Sequence, residues 1–381
     1  MPAQSRISSR GCARRPPTMP GCSSRAWVSS RRCISRSARR NPRARGGRDA
    51  DIVPPREVAM RNLYRAIWVV CMLGVLAFLL NQRSAAQQEL KPPMPPNLFT
   101  IHKLTDRLSI IAPFGPDMSQ VGGNIGVFVT NEGVLVVDDN YYRQQRNGQM
   151  VALAEAVVAE IRKLTNQPIR FVINTHHHSD HAGGNPVFGK IATIYAQKNV
   201  RGRILAGYKS SQEPLDFDPM KAAPIVSYDG ELVFHIGGED IHLYHPARAH
   251  TDGDSIVHFK NANIALWGDA FINNWVPVID VSGGASSLEW LQFIDRGIQL
   301  VGESATMVPG HGAIGKVSDV RRFRQYFTNM HDAVRKAIAA GKTREQAVDE
   351  ITVPAYANLP GGAARIRMNV AAIYDELKAR P

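Results

Sequence analysis

The chain has 381 residues, 44% of them hydrophobic, which allows one large domain or two ordinary ones with a sizeable core. Its formal charge of +13 is uneven: residues 1–59 hold fourteen Arg, no Lys and three acids (Asp49, Asp51, Glu57), a net of +11, whereas from Gln87 onward 29 basic and 30 acidic residues leave −1. The near-neutral remainder argues against nucleic acid as a partner, and its lack of cysteine excludes a disulfide framework, a thiolate ligand or a catalytic thiol.

Residues 1–59 are rich in Arg, Ser and Pro and have almost no periodic apolar pattern, so they are predicted to be disordered. Nucleic-acid-binding arms and organellar transit peptides share this composition. The next stretch favours a third reading. Met60–Arg65 is a charged segment, Ala66–Leu80 is an apolar run of fifteen, and Ser84-Ala85-Ala86 supplies small residues for cleavage. Residues 60–86 thus read as a secretory signal peptide, the run being short against the roughly 20 residues of a membrane span. On this reading Met60 is the true start, 1–59 is a mis-assigned extension, and the mature chain begins near Gln87. It would be periplasmic or secreted, with no stable membrane anchor after cleavage. Residues 87–97 form a Pro-rich spacer.

Short apolar runs follow: Leu108–Ile111, Gly126–Val129 and Val134–Val137, the last two joined by the turn Asn131-Glu132-Gly133. They predict an antiparallel meander ending in Asp138-Asp139. Gln149–Leu164 carries Leu153, Val157, Ile161 and Leu164 at helical spacing. The strand Ile169–Ile173 then delivers Thr175-His176-His177-His178-Ser179-Asp180-His181. Neutral imidazole is the commonest protein metal ligand, and carboxylate oxygen suits the same cations. If the chain stays extended, His176 and His178 share one side, with Asp180 and His181 just beyond. Two ligands for one ion beside two for another read as a binuclear site. His177 should face away from the metal pair.

The second half repeats the pattern. Glu231–Ile236 and Asp240–Tyr244 flank the hairpin signal Gly237-Gly238, and Ser255–Phe259, Ile264–Trp267 and Ala305–Val308 are further strands. Ser287–Val301 is a helix with Leu288, Leu291, Ile294 and Ile298 on one face, and helices from about Val317 to Ala340 and beyond close the chain. The sum predicts an α+β, sheet-on-sheet core with helices outside.

Four more polar positions stand at predicted strand ends: Asp138, His250 in Ala249-His250-Thr251-Asp252-Gly253-Asp254, Asp269 in Trp267-Gly268-Asp269, and His311 in Pro309-Gly310-His311-Gly312. With the H-x-H-x-D-H run, the chain resembles the metallo-β-lactamase superfamily of metal-dependent hydrolases over roughly residues 98–315, with residues 316–381 a helical segment packing on that domain. The resemblance implies an αββα sandwich. It implies that His176, His178 and His250 hold one ion, that Asp180, His181 and His311 hold a second, and that Asp269 bridges them. Asp138 would orient the ligand loop. The cofactors would be two zinc ions, with iron or manganese as alternative loadings. The reaction would be attack on a small-molecule carbonyl by a metal-bridging hydroxide, with Asp180 as catalytic carboxylate. Enzymes dedicated to β-lactams commonly carry Cys or Ser at the Asp269 position, so Asp269 points toward lactones, thioesters or other cyclic amides and esters. An iron-dependent oxygenase and a non-catalytic metal-binding envelope protein are the alternatives.

The remaining candidates have plainer readings. Phe271, Trp275 and the loop Asn273–Ala285 either line a substrate pocket or belong to the core. His235, His242, His245 and His258 are expected to be packed or solvated, His102 and His331 lie outside the motifs, and Asp252 and Asp254 are read as turn formers.

Overall fold

The structure, a computed structural model, describes residues 98–113, 122–146, 149–207 and 218–379. The predicted extension (1–59), signal peptide (60–86) and Pro-rich spacer (87–97) lie outside the described residues.

The meander forms as β1 (Phe99–Lys103), β2 (Leu108–Pro113), β3 (Ile125–Thr130) and β4 (Gly133–Val137), all antiparallel. A separate hairpin follows, β5 (Gln144–Arg146) with β6 (Gln149–Val151). Residues 149–151, expected to open a helix, pair as a strand instead, and the helix α1 runs from Leu153 to Leu164. It is the crossover to β7 (Ile169–Asn174), which lies parallel to β4 and is followed by parallel β8 (Thr193–Gln197) and β9 (Val226–Tyr228). The second sheet is β10 (Glu231–Ile236), β11 (Glu239–Tyr244), β12 (Ile256–Phe259), β13 (Ile264–Leu266), β14 (Thr306–Val308) and β15 (Gly315–Lys316), in that spatial order. The β10–β11 turn needs positive φ at both central residues, and Gly237 and Gly238 sit at +60° and +70°.

Strand alternation sorts the side chains into layers. Val127, Val134, Val136 and Val172 face α1, while Phe128, Leu135, Val137 and Ile173 face the second sheet, where they meet Leu243, Val257, Phe259 and Leu266. Ile256, Ala265 and Met307 point the other way, toward α2 (Ser287–Val301) and α3 (Val317–Ala339). The layers are therefore helix, sheet, sheet, helix, the αββα arrangement. The C-terminal helix α4 (Gly362–Ala379) shares the α2–α3 core through Ile366, Val370 and Ile373. On α2 the buried stripe is Trp290, Phe293, Ile294, Gly297, Ile298 and Val301, with Leu291 only partly buried, so it is rotated from the expected leucine face. Gly297 explains the rotation, since a Cβ there would fall 2.5 Å from the Trp267 ring. Among the described residues no helix is long and apolar enough to cross a membrane.

This topology gathers the functional loops at one end. β4 and β7 are parallel neighbours, so Asp138 and Thr175 leave the first sheet side by side. In the second sheet β13 and β14 are parallel and β12 runs against them, which brings the loops carrying Asp269, His311 and His250 to the same end. Backbone bonds stitch the two halves there: Ser255 N donates to Thr175 O at 2.9 Å, and Asn124 N to Gly310 O at 2.8 Å.

Candidate metal centre

Asp138 organises the first half of the site from the end of β4. Its backbone is held at φ +63°, its Oδ1 accepts Thr175 N at 2.7 Å, and its Oδ2 accepts Thr175 Oγ1 and His181 Nδ1, both at 2.8 Å. His181 thereby carries its proton on Nδ1 and turns Nε2 toward the interior of the site. Thr175 Oγ1, having donated to Asp138, accepts from His176 Nδ1 at 3.2 Å. His176 Nε2 is then a buried lone pair with no hydrogen-bond partner.

His178 and His250 are fixed by the same logic. His178 Nε2 donates to Asp280 Oδ2 at 2.8 Å, and His250 Nδ1 to Val278 O at 2.7 Å. The other two nitrogens, His178 Nδ1 and His250 Nε2, face each other at 2.9 Å. With both tautomers set from outside, two lone pairs meet, an arrangement that asks for a cation between them. His176, His178 and His250 offer ligand atoms all within 4.8 Å of one another. Burial, with His178 close by as the next cause, depresses His250 to about 4. Burial likewise lowers His176 well below its ordinary value, with His181 and His178 adding to it. Both shifts favour the neutral imidazole, the form that binds metal.

Beside this triad Asp180, His181 and His311 form a second group within the same 4.8 Å limit. His311 Nε2 lies 3.1 Å from Asp180 Oδ2 and 3.4 Å from His181 Nε2. Asp269 stands between the groups: Oδ1 is 3.2 Å from His181 Nε2 and 3.5 Å from His311 Nε2, and Oδ2 is 3.6 Å from His250 Nε2. Burial opposes charge on all of these residues. The carboxylates of Asp180, Asp269 and Asp138 overcome it at His181 and hold that imidazole well above its ordinary pKa; His311 is raised too, by Asp269 and Asp180. Asp269 in turn is held well below the usual carboxylate range by His311 and His181 despite its burial. A dense set of paired charges around a buried oxygen that makes no hydrogen bond, Asp269 Oδ1, suits a cation in place of the protons. The donor set of imidazole nitrogens and carboxylate oxygens fits zinc and its divalent neighbours.

The local backbone makes room for this. A Cβ on Gly310 would fall 2.0 Å from Asp269 Oδ1, so only glycine fits there. Asn124 holds the same turn, donating from Nδ2 to Pro309 O at 2.9 Å and Gly312 O at 3.1 Å. Trp290 packs 4.5 Å from the Phe327 ring and donates to Ala270 O at 2.9 Å, which ties the short helix bearing Asp269 to α2.

The structure brings together all seven residues proposed as ligands, with Asp138 behind them. Two other candidates are placed by their surroundings. Phe271 is fully buried and packs edge-on against Phe323, so it belongs to the core and not to a pocket. His177 does not join the His176/His178/His250 triad, yet it is buried and forms a separate group with His178 and Asp280, its Nε2 4.0 Å from Asp280 Oδ2. Trp275 stacks on His311 at 5.6 Å and lines a cleft with Pro113, Gly122, Asn124, Gly310 and Gly312. Asp254 caps its own turn by accepting Thr251 N at 2.6 Å, whereas Asp252 pairs with Arg203 at 2.6 Å. His235 and His242 pair with Asp240 and Glu231, His245 bonds Asp254 O, His258 and His331 are buried, and His102 is exposed. Asp280, Asn124 and Thr175 were not singled out from sequence. Asp280 lies in the suspected loop 273–285, but only its reach to His178 reveals its part.

Comparison with known proteins supplies the family context. The metallo-beta-lactamase superfamily model matches residues 119–311. A metallo-beta-lactamase type 2 from Elizabethkingia meningoseptica is 22% identical over 195 residues, which cover 47% of this chain and 71% of the relative. A linear primary-alkylsulfatase from a Pseudomonas strain is 21% identical over 270 residues, 59% of this chain; the match spans 49% of that longer relative. Among solved structures, a metallo-beta-lactamase from Pontibacter korlensis superposes with a TM-score of 0.50 at 19% identity, over 61% of this chain and 99% of that one, a likeness of fold.

Proposed function

Because the chain belongs to the metallo-beta-lactamase superfamily, we propose that it is a binuclear metal-dependent hydrolase of small molecules with an amide, ester or thioester carbonyl. His176, His178 and His250 would hold the first ion and Asp180, His181 and His311 the second, with Asp269 shared. The observation that carries this reading is the facing pair of lone pairs, His178 Nδ1 and His250 Nε2 at 2.9 Å, with Asp269 reaching from them to the second group. Bound zinc supplies Lewis acidity and lowers the pKa of water toward neutrality.

The chain's own groups do the rest. Asp180 is the most exposed of the candidate ligand carboxylates, 17% against 9% for Asp269. We assign it to orient the attacking water and to pass a proton to the leaving group. Trp275 offers an aromatic wall beside His311 for the apolar part of the substrate. Asp138, Asp280 and the Val278 carbonyl fix the imidazole tautomers, so little reorganisation is needed when substrate arrives. Asp269, in place of Cys or Ser, favours lactones and thioesters over β-lactams. We also propose export to the periplasm or medium through residues 60–86. An exported protein whose N-terminus lies well before Gln87 would overturn that part.

The test is to load the purified full chain with zinc, count the metal, and assay a chromogenic β-lactam, a lactone, a thioester and an alkyl sulfate, each with a chelator control. Two ions per chain and chelator-sensitive turnover of a carbonyl substrate are expected. Two bound ions with turnover of the alkyl sulfate alone, or of nothing, would overturn the carbonyl assignment.

A further inference from the structure

The loop that follows Asp269 is held from both sides. On one side it holds the first triad: Val278 O accepts His250 Nδ1, Asp280 Oδ2 accepts His178 Nε2, and Asp280 N reaches His250 O at 3.3 Å. On the other side the intervening positions are held by the C-terminal part of the chain. Val276 N donates to Pro360 O at 3.1 Å, and Arg365 Nη1 donates to Val276 O at 2.9 Å. Asn369 Nδ2 donates to Pro277 O at 2.9 Å and to the Tyr326 hydroxyl at 2.8 Å, while its Oδ1 accepts Ile279 N at 3.3 Å. Residues 276, 277 and 279 therefore face α4, and residues 278 and 280 face the histidines.

We propose that α4 is a positioning element for the metal centre, acting through residues 276–280, with Asn369 its central residue and Arg365 its second. The inference rests on the metal assignment made above. Asn369 is 1% exposed, and its amide is matched on both ends, so the backbone it grips has one position to occupy. That position sets where Val278 O and Asp280 sit, and these set the tautomer and the aim of His250 and His178. Both gripping residues lie beyond residue 311, where the family match ends.

A cobalt(II) titration of the apo full chain, read by its visible absorption, tests this together with thermal melts. N369L removes the three hydrogen bonds while keeping the number and branching of side-chain heavy atoms, R365M removes the bond to Val276 while keeping an apolar stem, and I373V trims a core residue of the same helix that takes part in none of these bonds. Expected are about tenfold weaker cobalt binding and a changed band shape for N369L, the low end of the range for groups that orient ligands. R365M should shift the same way by less. I373V should lower the melting temperature and leave the cobalt spectrum and affinity as in the unaltered chain. If N369L does not fold, R365M decides. Unaltered chain that takes up no cobalt overturns the metal assignment and this inference with it. Cobalt spectra and affinities unchanged in the folded variants, or changed equally by I373V, overturn the inference alone.

Discussion

The half of the sandwich built on β1–β9 places four candidate ligands, His176, His178, Asp180 and His181, in a single run after β7. The half built on β10–β15 supplies three, His250, Asp269 and His311, one from each of three separate loops. Support differs accordingly. In the first half a carboxylate one strand away, Asp138, fixes both Thr175 and His181. In the second half, orientation of His250 depends on Val278 and, beyond it, on Asn369. Within the run one neighbouring carboxylate orients His181 directly and His176 through Thr175, and only His178 looks to the other half, to Asp280; the dispersed ligands need a scaffold that fixes each loop.

Removing the residue that joins the halves should have the largest effect. In D269N the carboxylate between His181, His311 and His250 loses its charge; metal content should fall below two ions per chain and turnover should drop by roughly a hundredfold or more. Retention of two ions and full turnover would remove Asp269 from between them. D138N acts on the first half alone. It weakens the hold on His181 Nδ1 directly and on His176 only through Thr175, so the second ion should bind roughly 10–100-fold more weakly and the first should be affected less. Loss of both ions in parallel, measured by competitive chelation, would contradict the division of labour drawn above.

The smallest effect concerns the helical support of the second half. Ser287 Oγ donates to Glu376 Oε2 at 2.6 Å and accepts from His331 Nε2 at 2.8 Å, a node tying α2, α3 and α4. Burial, and secondarily Arg335, lowers His331 to about 4 from an ordinary 6.5. The folded chain therefore binds fewer protons than the unfolded chain between those values. The stability this contributes is complete above about 6.5 and is lost as pH falls toward 4. H331Q cannot acquire the charge, so its melting temperature should fall less than that of the unaltered chain between pH 7 and pH 5. An equal fall would place the acid sensitivity elsewhere.

The same contrast decides what could be read from the sequence. The histidine run, the meander and the Gly237-Gly238 hairpin are local, and alternation or turn chemistry exposes them. The αββα order followed from the resemblance and agrees with the layers observed. The hairpin β5–β6 was absorbed into a helix because Met150 and Val151 continue the apolar pattern of α1, although Asn147-Gly148 between the two strands is a hairpin signal. The α2 face departs from the leucine stripe because the aromatics Trp290 and Phe293 bury more area. Sequence leaves Phe271 open to pocket or core, since adjacency to Asp269 says nothing about direction. Asp280 and Asn369 carry no local signature at all. Their partners, His178 and the backbone at 277 and 279, are distant along the chain.

Synthesis from the amino end gives the clamp on residues 276–280 a place in time. All seven candidate ligands precede Arg365 and Asn369 along the chain, so they emerge first, whether from the ribosome or across a membrane. An incomplete chain can therefore display the whole set of metal-binding side chains while the strand of backbone aiming two of them is still ungripped. The aim of those two side chains thus waits on a helix made later than any ligand, and a proteolytic cut between α3 and α4 is expected to loosen the hold of Arg365 and Asn369 on residues 276–280.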